Sequence, residues 1–286
     1  MGIDHYENFP VASLLCPARL RPAVRALYTY VRTADDLADE GVRPAAERLA
    51  LLDAYEADLR SVAAGRTPSP RWTGVFAALA PVLREHRLPL TLLVDLLDAF
   101  RQDVVQNRHA DRAALLDYCR RSADPVGRLV LHLHGIDDAA ALRRSDAVCS
   151  GLQLANFWQD LSVDTRRGRL YVPLADCRRH GIAPDALLRG RAEPALGALL
   201  ADLIGWTRAL LRQGAPLVHR LGGRAGWELR LVVQGGLAIL DRVEALGPDV
   251  LARRPELGAA DVPRIAWRAI AMRAGRATAA AAGEAA

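Results

Sequence analysis

The spacing of apolar residues follows a helical period along nearly the whole chain. Apolar positions recur three or four residues apart in many stretches, whereas alternation of apolar and polar residues over a strand length is nearly absent. This period indicates amphipathic helices. The pattern therefore predicts an all-α protein. The predicted helices cover residues 20–39, 45–64, 73–86, 90–107, 112–134, 139–162, 184–189, 193–214, 216–221, 227–245 and 262–274.

A few segments interrupt this helical pattern. Pro125 lies inside the predicted helix 112–134, where its missing N–H predicts a break or a kink. Residues 170–173 predict a short extended piece, and residues 278–286 are mostly Ala, which predicts a disordered tail. We expect one all-α domain over residues 1–277, followed by that tail.

The composition narrows the chemistry that the chain can perform. Apolar residues make up 51% of the 286 residues and charged residues 25%, as is typical of a folded domain with a sizeable core. All 38 basic residues are Arg, which excludes chemistry on a Lys amine and a Lys-containing phosphate loop. The net charge of +5 suits an anionic small substrate or anionic lipid. Because the Arg residues are dispersed among acids, we expect no nucleic-acid binding.

The sequence shows no targeting segment. Its first ten residues lack a basic start followed by an apolar stretch, and no run of eighteen apolar residues occurs. The four cysteines are scattered and indicate ordinary thiols. We expect a cytoplasmic protein. Peripheral contact with the inner face of the membrane, through the last predicted helix around Trp267 and Arg268, is an open alternative to a packed helix with a solvated face.

Two acidic clusters at helical spacing indicate a metal-dependent site. Asp35 and Asp39 are four residues apart, as are Asn156, Asp160 and Asp164, so each set projects from one helix face. Like charges at this spacing repel each other, whereas Mg²⁺ takes carboxylates together with phosphate oxygens. Two such faces opposite each other would enclose a diphosphate. The predicted metal ligands are Asp35, Asp36, Asp39, Asn156, Asp160 and Asp164.

A solvated acidic helix face is the alternative interpretation of each cluster. The flanking residues favour the metal site, because Tyr30 and Val31 precede the first cluster and Leu154 and Phe157 surround the second. Carboxylates inside apolar helices are unfavourable unless a cation compensates them.

Further polar residues lie close to these clusters in the sequence. Arg32 precedes Asp35 by one turn, where it can reach a diphosphate oxygen or form a structural salt bridge. Arg169 follows the second cluster, and a guanidinium suits bidentate phosphate binding. Asp103 lies within another apolar helix, which is unusual for a residue of a plain core. We therefore predict that these residues complete the site.

The two clusters resemble the two motifs of the squalene/phytoene synthase family, and the resemblance covers nearly the whole chain. The first motif, Arg-x-x-Asp-Asp-x-x-Asp, occurs at Arg32, Asp35, Asp36 and Asp39. The second motif, Asn-x-x-x-Asp-x-x-x-Asp followed by Arg-x-Tyr-x-Pro, occurs at Asn156, Asp160, Asp164, Arg169, Tyr171 and Pro173.

The resemblance implies a class I isoprenoid (prenyl) synthase fold, a single all-α domain with a central cavity. It also implies a prenyl diphosphate substrate, Mg²⁺ as cofactor and association with neighbouring enzymes of hopanoid biosynthesis. The glycines of residues 222–226 follow no predicted strand, so we expect no NAD(P)H site. The expected catalytic residues are Asp35, Asp39, Asp160, Asp164, Asp103 and Tyr171. The expected substrate-binding residues are Arg32, Tyr28, His5, Phe9, Gln153, Asn156 and Arg169.

Departures from the family pattern point to one branch. Gln159 stands where members that condense two prenyl diphosphates usually have Arg, and residues 118–122 read Tyr-Cys-Arg-Arg-Ser where those members have Tyr-Cys-Tyr. A Tyr that is common late in the family is replaced within residues 234–236. Several stretches, including residues 118–127, instead resemble the bacterial hydroxysqualene synthases of hopanoid biosynthesis.

Two functions follow from the resemblance, and a third from another functional class stays open. The first is Mg²⁺-dependent conversion of presqualene diphosphate and water to hydroxysqualene and diphosphate, with Asp103 or Tyr171 positioning the water or helping to bind the departing diphosphate. The second is condensation of two prenyl diphosphates by a presqualene diphosphate synthase or a squalene or phytoene synthase. The third is a non-catalytic partner subunit that binds prenyl diphosphates. Phe9, Phe157 and Trp158 are candidate walls of the cavity, with core packing as the alternative.

Overall fold

The computed structural model describes residues 16–39 and 43–272. Within these ranges the chain is helical, and its one β-type pairing is an isolated bridge between Arg108 and Leu170. The all-α prediction is confirmed. The helices are α1 Arg21–Asp39, α2 Ala45–Ala63, α3 Thr73–Glu85, α4 Leu90–Val105, α5 Arg112–Ser122, α6 Asp124–Leu133, α7 Ala139–Gln159, α8 Leu161–Asp164, α9 Leu174–Arg179, α10 Pro184–Leu188, α11 Leu196–Gly214, α12 Gly223–Leu246 and α13 Val262–Ala271.

Most predicted helices are found within a few residues of their expected ends, and the differences have local causes. The predicted helix 112–134 breaks completely at Ala123, and Pro125 occupies the first turn of α6, where its missing N–H breaks no helical hydrogen bond. The predicted helix 216–221 is a short 3₁₀ helix, Ala215–His219. Helix α9 is absent from the sequence-based prediction because six residues are too few to show a period.

Helices α1 to α4 enclose one of the two large parts of the core. Its centre is aromatic: the rings of Tyr30 and Tyr55 stack with centroids 5.2 Å apart, and Phe76 lies 4.9 Å from Tyr55. Both tyrosine hydroxyls are satisfied, because Tyr55 donates to the carbonyl of Tyr30 and Tyr30 donates to the carbonyl of Leu93. This packing fixes α1, whose last turns carry the first acidic motif.

The other large part of the core is organised around α7, which packs against α6, α11 and α12. Two glycines allow the close approach of α11. A Cβ atom at Gly151 would lie 2.9 Å from the Leu211 side chain, and one at Gly214 would lie 2.5 Å from Val148. The packing of α7 on several sides fixes where its C-terminal end lies, and the second acidic motif begins there.

Within residues 16–39 and 43–272, no helix has both the length and the apolar content that crossing a bilayer requires. His5, Phe9 and the tail 278–286 lie outside the described residues. The extent of the domain stays a prediction.

Candidate active site

A cavity of about 750 Å³ lies between α1, α6, α7 and α12. Its walls are mostly apolar, and charged and amide side chains gather where the C-terminal parts of α1 and α7 meet. Arg32 contributes from α1, Asn156 from α7 and Asp160 from the residue that follows α7. The cavity thus combines an apolar space with one polar end.

The first acidic motif occupies the last two turns of α1. Arg32 binds two of its carboxylates, at 3.0 Å to Asp35 and 2.6 Å to Asp36. The i,i+3 and i,i+4 spacing on one helix makes these contacts possible. Arg32 also borders the cavity, so it can contact a ligand there as well as its own motif.

The second acidic motif does not lie on one straight helix. Helix α7 ends at Gln159, and Asp160 has a non-helical backbone conformation before the short helix α8 begins. The Asp164 N–H donates to the Asp160 carbonyl at 2.9 Å, and Asn156 Nδ2 donates to Asp160 Oδ2 at 3.1 Å. The bend therefore keeps all three side chains together.

Arg169 joins the two motifs. Gly168 adopts a left-handed conformation with φ of 75°, which turns the chain back so that the Arg169 N–H reaches the Asp164 carbonyl at 2.9 Å. The Arg169 guanidinium then donates hydrogen bonds to both carboxylate oxygens of Asp39, with Nη1 2.9 Å from Oδ2. The predicted juxtaposition of the two acidic motifs is thus present in the fold.

A residue that sequence reasoning missed binds the second motif. The Arg254 Nε donates to Asp160 Oδ1, and the Arg254 side chain is only 12% exposed. Arg254 lies in the segment that follows the 3₁₀ helix Gly247–Leu251. Gln159 holds that segment by donating a hydrogen bond to the Pro255 carbonyl at 2.8 Å. Since 94 residues separate Asp160 from Arg254, no local spacing could have revealed the pair.

Two carboxyls of these motifs have strongly raised pKa values. Burial raises the pKa of Asp35 to about 6, with a further contribution from Asp39 that Arg32 partly offsets. Burial likewise raises the pKa of Asp164 to about 7, with repulsion from Asp160 next and Arg169 opposing it. These carboxylates lack sufficient positive charge around them, so a further cation would stabilise their ionised forms.

Asp103 extends this group from α4. Tyr118 Oη donates to Asp103 Oδ2 at 2.8 Å, yet burial raises the pKa of Asp103 to about 7, with Asp39 and Asp35 adding to the rise. The charges of Asp39, Asp35 and Arg169 thus all act on the Asp103 carboxyl. We call the six carboxylates and three guanidiniums assembled here the acidic end. Its members are Asp35, Asp36, Asp39, Asp103, Asp160, Asp164, Arg32, Arg169 and Arg254.

An aromatic layer borders Asp103. Tyr171 stacks on Phe157 with ring centroids 3.8 Å apart and an interplanar angle of 5°, and burial raises the pKa of its hydroxyl, so it stays protonated. His109, which sequence reasoning also missed, packs 5.2 Å from Tyr118 and 5.7 Å from Tyr171. Burial lowers the pKa of His109 to about 4, so this imidazole is neutral at pH 7.

The other predicted residues have varied positions. Gln153 borders the cavity, whereas Tyr28 is half-buried on α1 and is not among the described residues that line it. Trp158 is fully buried in the core and donates its indole N–H to Thr207 at 2.8 Å. Trp158 and Phe157 therefore follow the core-packing interpretation, because neither borders the cavity.

The donor set of the acidic end suits a hard divalent cation. Asp and Asn oxygens are the ligands that Mg²⁺ prefers, and their mutual repulsion favours an added positive charge. In the part of the chain that the structure describes, no three carboxylate, imidazole or thiol groups are already arranged as a metal site. Arg32, Arg169 and Arg254 hold four of the carboxylates of the acidic end in ion pairs.

Comparison with known proteins agrees with this geometry. The squalene/phytoene synthase family profile matches residues 4–261. The chain belongs to the squalene/phytoene synthase family. The family membership and the isoprenoid synthase type of fold that the motifs predicted are confirmed.

Three members of the family are similar to this chain over most of its length. The hydroxysqualene synthase of Rhodopseudomonas palustris is 38% identical over 79% of this chain and 75% of its own. The phytoene synthase of Thermus thermophilus is 34% identical over 89% of this chain and 85% of its own. The crystal structure of squalene synthase HpnC from Alicyclobacillus acidocaldarius is 39% identical, with a TM-score of 0.78 over 85% of this chain and 90% of that chain.

The departures from the family pattern now have structural consequences. Gln159 is fully buried and binds the segment that carries Arg254, so a guanidinium still reaches Asp160, although it comes from a different position. Gly236, in the segment 234–236 from which the late family Tyr is missing, borders the cavity, and a Cβ atom there would lie 2.6 Å from the Leu152 side chain. A side chain at Gly236 would therefore require at least the Leu152 side chain to move.

Proposed function

We propose that this protein is a hydroxysqualene synthase, which converts presqualene diphosphate and water to hydroxysqualene and diphosphate in a Mg²⁺-dependent reaction. The observation that carries the proposal is the acidic end beside an apolar cavity, where six carboxylates face three guanidiniums. A diphosphate with its metal ions would complete the charge balance there, and the hydrocarbon would fill the cavity. The 38% identity to the hydroxysqualene synthase of Rhodopseudomonas palustris supports this product.

Five residues of the two motifs would hold the metal ions: Asp35, Asp39, Asn156, Asp160 and Asp164. When bound, Mg²⁺ would neutralise the negative charge that develops on the departing diphosphate. Asp36 is the sixth predicted ligand, and its Oδ1 already lies 2.6 Å from the Arg32 guanidinium.

The guanidiniums of the acidic end would bind the diphosphate directly. Each one now contacts a carboxylate, and each could instead donate to a phosphate oxygen once the carboxylate takes a metal ion. Arg169 is well suited to bind phosphate, because its planar guanidinium already donates to two oxygens of Asp39 in a bidentate contact. This exchange would couple substrate binding to assembly of the site.

The apolar cavity would protect the cation that remains after diphosphate leaves. Apolar side chains form most of its wall, which would limit the access of bulk water and let the cation rearrange. An alcohol product then requires that one water be admitted. Such a reaction ends in water addition and would need no nicotinamide.

Condensation of two prenyl diphosphates is the second candidate function. It is favoured by the names of two similar proteins, the phytoene synthase of Thermus thermophilus and the squalene synthase of Alicyclobacillus acidocaldarius. The same acidic end would serve both reactions, so geometry alone does not separate them. A non-catalytic partner subunit is disfavoured because the ligand residues of both motifs are intact.

Product analysis tests the proposal. The purified protein is incubated with presqualene diphosphate and Mg²⁺ without nicotinamide, and in parallel with farnesyl diphosphate. Hydroxysqualene from the first incubation supports the proposal. Presqualene diphosphate from the second, without turnover in the first, would make the protein a condensing enzyme, and no diphosphate release in either would favour the partner subunit.

We also propose a cytoplasmic location with peripheral contact at the membrane, where a substrate of this hydrophobicity would accumulate. On α13 the side chains of Trp267 and Ile270 are 70% and 57% exposed, as expected of a helix that can insert apolar groups among lipids. Association with neighbouring enzymes of hopanoid biosynthesis would likewise help to deliver this hydrophobic substrate. Sedimentation with anionic vesicles, with Trp267→Ala as the variant, tests the membrane contact.

A further inference from the structure

One serine in the wall of the cavity has a hydroxyl without a partner. Ser122 borders the cavity, and its Oγ is buried and makes no hydrogen bond to any residue of the ranges 16–39 and 43–272. A buried hydroxyl without a partner is unfavourable, because it has lost its bonds to water and gained none in return. Rotation about the χ1 torsion of Ser122 would turn this hydroxyl from the packed wall into the cavity, where a small polar molecule would satisfy it.

The backbone around Ser122 is held firmly. Ser122 is the last residue of α5, and the Ala123 N–H closes that helix by donating to the Cys119 carbonyl at 2.9 Å. The next helix begins at Asp124, which accepts a hydrogen bond of 2.8 Å from Ser150 on α7. A serine in a helix commonly turns its hydroxyl back to the preceding turn, and Ser122 does not.

Ser122 lies on the same helix as Tyr118, which contacts the acidic end. Tyr118, which binds Asp103 of the acidic end, precedes it by one helical turn, or about 6 Å along the axis of α5. Gln153 borders the same cavity from α7, and its amide can both donate and accept hydrogen bonds. An ordered water needs two or more polar partners, and Ser122 and Gln153 both border the cavity in which that water would lie.

We propose that Ser122 positions the water that ends the reaction, with Gln153 as its second partner. This inference rests on the proposed function, because a water is needed only if the product is an alcohol. Diphosphate departs with the electron pair of the C–O bond, and the resulting carbocation rearranges in the cavity. The oxygen of the positioned water then forms the new C–O bond, and its extra proton passes to the released diphosphate.

The cavity wall favours Ser122 over the two residues that the sequence suggested for this role. Asp103 and Tyr171 are not among the described residues that line the cavity, and Asp103 already accepts the Tyr118 hydroxyl. Ser145 does line it, but its hydroxyl is bonded to the Cys149 thiol one turn away. Ser145→Ala is therefore a matched control on the same wall.

The test compares the products of wild type, Ser122→Ala, Ser122→Thr and Ser145→Ala from presqualene diphosphate and Mg²⁺ in ¹⁸O-labelled water. We expect Ser122→Ala to lower the ratio of labelled alcohol to hydrocarbon products about tenfold, because a site built around a hydroxyl discriminates at least that strongly. The hydrocarbons arise when the cation loses a proton instead. Ser122→Thr, which keeps the hydroxyl, and Ser145→Ala should retain the wild-type ratio.

The outcomes separate this inference from the proposed function. An unchanged ratio in Ser122→Ala would overturn the role of Ser122, whereas a wild type that forms no alcohol would overturn the function itself. If Ser122→Ala does not fold, Ser122→Cys carries the test, because a thiol is a weak hydrogen-bonding group of similar size. Loss of substrate consumption in both variants would assign Ser122 to diphosphate release and would likewise overturn the inference.

Discussion

The acidic end and a second Asp–Arg cluster are built from the same residue types but differ in charge balance. The second cluster, which we call the Asp176 network, links α5, α9 and α11. Arg112 Nε lies 3.1 Å from both carboxylate oxygens of Asp176, its Nη2 lies 3.0 Å from Asp202, and its guanidinium covers the Trp206 ring at 4.8 Å. Arg179 binds the same two carboxylates.

The pKa values of the two regions move in opposite directions. At Asp202 burial raises the pKa, but hydrogen bonds from Arg112, Arg179 and His180 outweigh it and leave the pKa at about 2. Asp35 and Asp164 instead have pKa values of about 6 and 7. In the Asp176 network two guanidiniums balance the charge of two carboxylates. The acidic end has twice as many carboxylates as guanidiniums, so its negative charge is not balanced.

The difference shows that Asp and Arg in proximity do not by themselves indicate function. The Asp176 network satisfies itself and ties helices together, so it contributes to stability. The acidic end remains incompletely compensated, so it is prepared to take positive charge from outside the protein. Each of the following predictions tests one side of this contrast.

The largest effect is expected on the acidic end. Asp160→Asn and Asp35→Asn should each reduce turnover of presqualene diphosphate about a thousandfold or more, because each removes a charged metal ligand. The unfolding midpoint should stay equal or rise, since repulsion from Asp164 or Asp39 is relieved. Steady-state assays and thermal unfolding measure both. Asp202→Asn is the control, and substantial turnover in either acidic-end variant would contradict the assignment.

The converse is expected for the Asp176 network. Arg112→Ala should lower the free energy of unfolding by about 3 kcal/mol, because Asp176 is buried and loses half of its guanidinium partners. Turnover per folded molecule should be unchanged. Urea unfolding measures the loss, and Arg112→Lys, which keeps the charge without the planar fork, should fall between wild type and Ala. A catalytic defect in a fully folded Arg112→Ala protein would contradict a purely structural role of the Asp176 network.

A smaller effect is expected at Arg254. Arg254→Gln should reduce kcat/KM about tenfold, because one of three guanidiniums for the diphosphate is lost while the metal ligands remain. Arg253→Gln is the matched control, since the neighbouring Arg253 is exposed and makes no ion pair within the described chain. Equal kinetics in the two variants would show that Arg254 only fixes Asp160.

The smallest effect is the response of stability to pH. Asp35, Asp103 and Asp164 have pKa values of about 6 to 7 in the folded chain, against about 4 when unfolded, so the folded chain binds more protons between these values. Stability from these groups is therefore fully present below about pH 4 and is lost as the pH rises to about 7. Thermal unfolding from pH 5 to pH 8 should show this decline.

Magnesium sharpens the same measurement. Added Mg²⁺ should raise the unfolding midpoint by a few degrees at pH 7.5 and by less at pH 5.5, where protons occupy the carboxyls. Asp164→Asn should weaken both the pH dependence and the response to Mg²⁺, while Asp202→Asn should leave both in place. A midpoint that does not respond to Mg²⁺ at pH 7.5 would count against the acidic end as a metal site.

In this chain of 286 residues, local spacing alone predicted the fold class and most of the acidic end. The period of three to four residues sufficed for the all-α fold, because helical burial is recorded in neighbouring positions. The spacing of the two acidic motifs sufficed for the family and for most of the acidic end. Arg169 was also within reach, since only four residues separate it from Asp164.

Tertiary structure alone decided the rest, because the partners are distant in sequence. Arg254 reaches Asp160 across 94 residues, through a segment that Gln159 holds in place. The break at Ala123 and the packing of α6 on α7 bring Ser122 to the wall of the cavity, a position that no sequence pattern records. Local spacing specifies which groups share a helix face, whereas long-range packing specifies which of those faces meet and what charge they leave uncompensated.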